Sequence, residues 1–315
     1  MDRRVVTVFG GSGFIGRHLV QRLAVAGWIV RAGVRDLEAA SFLKVFGAPG
    51  QVVPFVTDVR EPRSVEKAVA GAEWVINLVG ILYERGRRTF QSMHVEGAEN
   101  VAKAAAAAGV DRFVQMSALG AASDAEAEYA RTKAAGEEVA KAAFPGTSIT
   151  RPSVVFGPED DFFNRFAAMA RISPVLPVFP TRFQPVYVGD VVEAMIRILE
   201  DPERRGRTYE LGGPRVMTFR EVMEVVLKAT GRQRTLVGMP FSVAALEAFF
   251  LQLLPVPPLT PDQVRLLKTD NVVSANALTF ADLGIKPQAA EAIVPTYLHR
   301  FRSTAMSGRR PIGPA

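Results

Sequence analysis

Tyr129 and Lys133 stand four residues apart, so on a helix they share one face. A positive charge held beside a phenol favours phenolate, and such a tyrosine can pass a proton to a carbonyl. Ser117, at the end of an expected strand, could orient a substrate oxygen. A second group of residues has a different task. Gly10-Gly11-Ser12-Gly13-Phe14-Ile15-Gly16 follows the β-branched run Val5–Phe9 and opens a helical stretch. Gly10 allows a tight turn, Gly13 lets backbone approach a pyrophosphate, and Gly16 permits close packing of helix on strand. Ser12, Phe14 and Ile15 complete the turn and the first helical positions, whose unpaired N–H groups and dipole favour a phosphate. Strand, glycine turn and helix in this order predict a nicotinamide dinucleotide site.

The next strand end bears on which dinucleotide. An NAD site usually carries Asp or Glu there, about 20 residues after the turn, for the ribose hydroxyls. Here Val34 takes that position and Arg35 follows, a guanidinium suited to a 2′-phosphate. Arg17 could add a second positive charge. The expected cofactor is therefore NADPH. The competing reading has Asp36 serving as the acid, with Arg35 on the surface, and gives NADH.

The elements that must position these residues alternate. Strands are expected at Val5–Phe9, Trp28–Val34, Val52–Thr57, Trp74–Leu78, Arg112–Met116 and Ser148–Val155. Helices are expected around Phe14–Ala26, Ser64–Ala70, Ser92–Ala108 and Glu126–Ala143, with Gly27 and Gly109 as left-handed closing residues. This rhythm gives an α/β fold, a Rossmann-type doubly wound parallel sheet with a smaller mixed α/β C-terminal subdomain. Residues 1–158 form the dinucleotide-binding domain, with later segments returning to the sheet. Residues 159–302 form the subdomain, and 303–315 a flexible tail. Past Pro158 the prolines 174, 177, 180 and 185 break the rhythm. Thr260-Pro261-Asp262-Gln263 reads as a helix start with a capping box. The almost continuously apolar run Phe241–Leu254 is too short to span a bilayer, which leaves burial in the fold, in a partner or in a membrane interface.

Composition excludes much else. No cysteine occurs in the 315 residues, which removes disulfides, thiolate metal ligation and a thiol nucleophile. His18, His94 and His299 are too scattered for a metal site, and none is expected. Lys and Arg exceed the acids by 38 to 32. The clusters Arg85, Arg87, Arg88 and Arg204, Arg205, Arg207 read first as solvated loops, and second as contacts to an anionic protein surface or lipid head groups. Neither is interleaved with aromatics, so no nucleic-acid partner is expected. The chain enters its first strand at once and predicts no signal or transit peptide.

These residues resemble the extended type of the short-chain dehydrogenase/reductase superfamily. Gly10/Gly13/Gly16, Tyr129/Lys133 and Arg151-Pro152-Ser153-Val154-Val155-Phe156-Gly157-Pro158 carry the resemblance. It implies that Asp58-Val59 touch the adenine, that Leu78-Val79-Gly80 lie beside the riboses, and that Pro152 and Val155 join the cofactor site. A narrower resemblance is to the short-chain-dehydrogenase-like accessory subunits of respiratory complex I, NADH:ubiquinone oxidoreductase. It rests on Val75–Gly80, Tyr129–Glu137, Gln184–Val188, Leu259–Val264 and Asp282–Ile285. That family implies a tightly bound NADPH in a structural or regulatory role, and partners among the peripheral-arm subunits near the membrane surface. With no transit peptide expected, the location implied is peripheral, on the cytoplasmic face of a bacterial inner membrane. Active superfamily members carry Asn-Val-X-Gly, whose Asn supports a proton relay through water; here the segment is His94-Val95-Glu96-Gly97. On this reading Tyr129, Lys133 and Ser117 are a vestigial set holding the nicotinamide ribose. The alternative is an active NADP-dependent reductase, epimerase or dehydratase acting on a small molecule.

Overall fold

In the computed structural model, residues 4–302 are described. Six strands alternate with helices at first: β1 (Val5–Phe9), β2 (Ile29–Val34), β3 (Val52–Val56), β4 (Trp74–Asn77), β5 (Arg112–Met116) and β6 (Ser148–Pro152). The short strands β7 (Val155–Phe156), β8 (Val175–Val178), β9 (Arg182–Phe183) and β10 (Val186–Tyr187) precede β11 (Thr208–Leu211), β12 (Met217–Thr218) and β13 (Thr235–Gly238). The helices are α1 (Phe14–Val25), α2 (Pro62–Val69), α3 (Gly97–Ala107), α4 (Glu128–Ala143), α5 (Phe162–Ile172), α6 (Val188–Glu200), α7 (Phe219–Thr230), α8 (Phe241–Leu251), α9 (Pro261–Leu266) and α10 (Ala290–Leu298).

The central sheet is parallel throughout, in the order β11-β6-β5-β4-β1-β2-β3. Alternation along β1 shows how it is covered. Val6 and Val8 pack with Leu19, Val20 and Leu23 of α1 and with Val191, Val192 and Met195 of α6. Phe9 points to the other face and packs with Val65 of α2, Val101 of α3 and Ala140 of α4. Strand order reverses between β1 and β4, which opens a crevice at their carboxyl ends.

A second core gathers α5, α7 and α10 with the ribbons β8–β13 and β9–β12, around Phe163, Phe183 and Phe219. Some expected elements differ. The strand expected over 148–155 stops at Pro152, because β7 turns away to pair in parallel with β10. The helix expected over 92–108 begins as a π turn, Gln91–Glu96, before α3. Gly27 and Gly109 do close their helices at φ +86° and +67°. The Thr260 capping box forms, with Thr260 Oγ1 and the Gln263 side chain each bonding the other's backbone N–H. The tail expected at 303–315 lies outside the described residues.

α8 is apolar on both sides but sorted by size. Its buried residues are Ala244 and Ala248, whereas Val243, Leu246, Phe249 and Phe250 face outward. The exposed apolar stretch continues through Leu253, Leu254 and Val256. Among the described residues, no helix is long and apolar enough to cross a membrane.

Candidate functional site

The glycine turn sits at the crevice. Gly10 takes φ +77°, a conformation that side-chain-bearing residues rarely adopt. A Cβ on Gly16 would overlap the Gly10 carbonyl oxygen, so the first turn of α1 closes on the loop itself. No side chain caps α1 and no acid lies in its first turn, so its N–H groups remain available to an anion. A cleft of about 330 Å³ extends from there. It brings together Gly10, Ser12, Gly13, Arg35, Asp58, Val59, Leu78, Val79 and Gly80 of the expected residues. Phe14, Ile15 and Gly16 stand behind it in α1 and do not line it. Phe9, Gly33, Thr57, Arg88 and Met93 line it too, unanticipated by the sequence reading.

At the cleft's far end Val34 is buried and Arg35 exposed. Asp36 turns elsewhere: its Oδ1 accepts the N–H groups of Glu38 and Ala39 at 2.9 and 3.0 Å. Arg17 donates to the Ser12 carbonyl and lies over Phe42, 4.8 Å from the ring centre. Asp58 is paired with Arg60 at 2.5 Å, which holds its carboxyl below the ordinary range. Arg60 in turn donates to the Arg87 carbonyl at 3.0 Å. Arg85 and Arg88 exchange backbone hydrogen bonds across a tight turn, which swings Arg88 into the cleft. There it is half-buried with an unpartnered Nε, and burial and then the Arg35 charge lower its pKa. The solvated-loop reading therefore fails for Arg88. Gly86, at φ +57° within this turn, was the signal that could have found it.

Past Gly80 the β5 exit and α4 converge; Ser117, Tyr129 and Lys133 stand there and do not line the cleft, though Lys133 Nζ and His94 Nε2 lie beside Gly80. Ser117 is buried, and its Oγ has no partner. Lys133, also buried, donates from Nζ to the Met116 carbonyl at 2.7 Å, and desolvation lowers its pKa to about 8. Burial pushes the Tyr129 phenol up to about 12, opposite to the lowering expected from a neighbouring lysine. Tyr129 packs edge-on against Phe90 and His94, at 5.9 and 5.3 Å between ring centres. Pro152 and Val155 lie apart from the cleft. Pro152 accepts the Leu119 N–H through its carbonyl, and Val155 belongs to the β7–β10 ribbon.

His94 occupies the centre of this end. Its Nε2 accepts the Ile81 N–H at 3.0 Å, which places the ring proton on Nδ1, 3.1 Å from Thr132 Oγ1. Thr132 Oγ1 in turn donates a hydrogen bond to the Glu128 carbonyl at 2.9 Å. Burial first, and Lys133 second, lower the imidazole pKa to about 3, so the ring is neutral. Both nitrogens are engaged in tying the loop after β4 to α4.

The start of α4 has a distant cap. The Asp262 carboxylate accepts the Glu128 N–H at Oδ1 (2.8 Å) and the Tyr129 N–H at Oδ2 (2.9 Å). Lys268 pairs with Glu126 at 2.6 Å beside it. Nothing in the sequence links positions 134 residues apart, so this contact was not foreseen.

The cleft, turn and orphaned polar atoms fit an elongated anionic dinucleotide. The family model for the NAD dependent epimerase/dehydratase family matches residues 6–212. NADH dehydrogenase (ubiquinone) 1 alpha subcomplex subunit 9, mitochondrial, of Arabidopsis thaliana is 37% identical, across 95% of this chain and 78% of that protein. Ceramide reductase of Caulobacter vibrioides is 32% identical, across 76% of this chain and 74% of that protein. The solved UDP-glucose 4-epimerase of Thermus thermophilus, in complex with NAD, superposes with a TM-score of 0.69 at 22% identity. It covers 95% of this chain and 99% of that structure, a likeness of fold.

Proposed function

The chain belongs to the NAD dependent epimerase/dehydratase family, and from that premise we propose that it is an NADPH-binding accessory subunit of respiratory complex I, structural or regulatory rather than catalytic. The observation that carries the non-catalytic part is His94. A ring whose Nε2 already accepts from Ile81 and whose Nδ1–H is already directed at Thr132 has neither a free acceptor nor a free donor for a relay. Its pKa of about 3 also keeps it from gaining one near neutral pH. The likeness to the Arabidopsis subunit supports complex I as the partner.

The cofactor half of the reading rests on charge. The α1 N-terminus and the Gly10–Gly13 turn receive the pyrophosphate, and Arg35 with Arg88 faces the adenosine 2′-phosphate. Asp36, bonded within its own loop, offers the ribose hydroxyls nothing. Asp58 and Val59 border the adenine, and Leu78, Val79 and Gly80 the riboses. Tyr129, Lys133 and Ser117 hold the nicotinamide ribose. NADPH, when bound, brings a hydride donor to this end, and the protein excludes water and holds it in place. The outward face of α8, rimmed by the apolar loop to Val256, serves as the contact with the peripheral arm and the adjoining membrane surface. On this reading the location is the cytoplasmic face of a bacterial inner membrane.

The test is affinity capture from detergent-solubilised membranes, with the released nucleotide identified by mass. Complex I subunits and NADPH together are expected. The second reading, an NADP-dependent reductase, is favoured by the likeness to ceramide reductase and by retention of Tyr129 and Lys133. Substrate-dependent oxidation of NADPH that disappears in Tyr129→Phe would establish it and remove the first.

A further inference from the structure

We infer that Asp262 is a positioning residue for the nicotinamide half of the dinucleotide site, so that this half is assembled by a C-terminal segment outside the sheet. The inference rests on the reading above that Tyr129 and Lys133 hold the nicotinamide ribose. α4 has no cap of its own: Ala127 stands at its N-cap and offers no side-chain acceptor. Its first N–H groups have no intrahelical acceptor, and of the two that find one elsewhere the Tyr129 N–H, on a half-buried residue, is better shielded from water than that of the exposed Glu128. Asp262 supplies one oxygen for Glu128 and one for Tyr129. The second of these bonds is to the backbone of the tyrosine itself. A carboxylate at this end also complements the helix dipole.

Asp262 is held in turn. It lies in the first turn of α9, whose capping box fixes Thr260 and Gln263. Gln263 also reaches the Leu82 carbonyl, at 3.4 Å, in the loop that carries Gly80 and Ile81. Lys268 closes the far side through Glu126. The start of α9 thus grips both walls of the nicotinamide end, the α4 wall through Asp262 and the Leu78–Leu82 wall through Gln263. The turn, Arg35 and Arg88 at the other end of the cleft make no contact with it among these bonds. Loss of the carboxylate should let the first turn of α4 fray and move Tyr129, and leave the adenosine end intact.

The test compares two ligands on the full-length protein. NADPH spans the whole cleft, whereas 2′,5′-ADP occupies the adenosine end alone. Asp262→Ala is expected to weaken NADPH roughly tenfold, the scale of a lost pair of charge-assisted bonds, and to leave 2′,5′-ADP within about twofold of wild type. Amide exchange in the 126–133 peptide should accelerate in the same variant. Equal weakening of both ligands, or unchanged NADPH affinity, overturns the inference. Should the variant fold poorly, Asp262→Asn, which keeps one acceptor oxygen, must give the same ordering of the two ligands; an equal loss there is equally fatal. Failure of the wild type to bind 2′,5′-ADP would instead overturn the NADPH reading, a distinguishable result.

Discussion

His94 stands where active members of the superfamily expected from sequence carry Asn, and its chemistry here follows from two bonds. Nε2 accepts and Nδ1 donates, so protonation would break the bond from Ile81 and bury a charge near Lys133. The pH consequence has a definite sign. The folded pKa of about 3 lies below the ordinary 6.5, so the unfolded chain takes up a proton that the folded chain refuses. The stabilisation is complete above pH 6.5 and is lost as the pH falls from there toward 3, with a limiting slope of about 1.4 kcal/mol per pH unit. Denaturant midpoints at pH 7, 5.5 and 4.5 should show this slope in wild type and lack its His94 share in His94→Gln. Identical slopes in both proteins would refute it. At the other end, Arg88 makes a sharper claim about ligand choice. Replacing Arg88 with Ala should lower NADPH affinity by about tenfold or more through loss of a guanidinium–phosphate contact, with NADH affinity changing little. Titration of both nucleotides by fluorescence would decide it, and a parallel loss of both would argue against a 2′-phosphate role.

At the scale of elements, what was legible in the sequence had local causes. The strand–turn–helix at Val5–Val25, the closing glycines at 27 and 109 and the Thr260 box all depend on neighbours within a few residues. Features set by distant contacts were not legible. β6 ends at Pro152 because Val155 finds Val186, thirty-one positions on, and the Asp262 cap on α4 joins segments 134 positions apart. The π turn at Gln91–Glu96 lies within a stretch whose residue spacing reads simply as helical. α8 is a mixed case. Its apolar character was plain, but which side faces inward depends on Ala244 and Ala248 fitting the second core. That sorting has a testable consequence. Leu246 and Phe250 are 63% and 62% exposed, one turn apart, so changing both to Ser removes little buried surface. Stability should shift by less than about 1 kcal/mol, while recovery with the membrane fraction falls severalfold. Retention of the double variant at wild-type levels would show that this face is not the attachment.

For the whole molecule, the two cores are tied by a chain that leaves the sheet and returns. Residues beyond 158 supply Val186, Val191, Val192, Met195, Leu199, Tyr209 and Leu211 to the core beneath β1 and β2. β11 satisfies the open edge of β6, and Glu210 shares Arg151 with the buried Glu137. Asp262 then reaches back to α4 from the far side. A fragment of residues 1–158 would keep every glycine and arginine of the cleft but lose α6, β11 and the α4 cap. An uncovered apolar sheet face and an unpaired β6 edge promote association between chains. The fragment is therefore expected to be aggregation-prone and to bind no NADPH. The full chain should unfold in one cooperative transition that shifts upward with nucleotide by mass action. Calorimetry of the full chain with and without NADPH, beside size-exclusion chromatography of the fragment, tests the point. A monomeric fragment that binds NADPH would mean the returning segments are additions to an already complete unit. Two separate transitions, only one of them moved by NADPH, would mean the cores fold independently despite the shared strand and ion pairs.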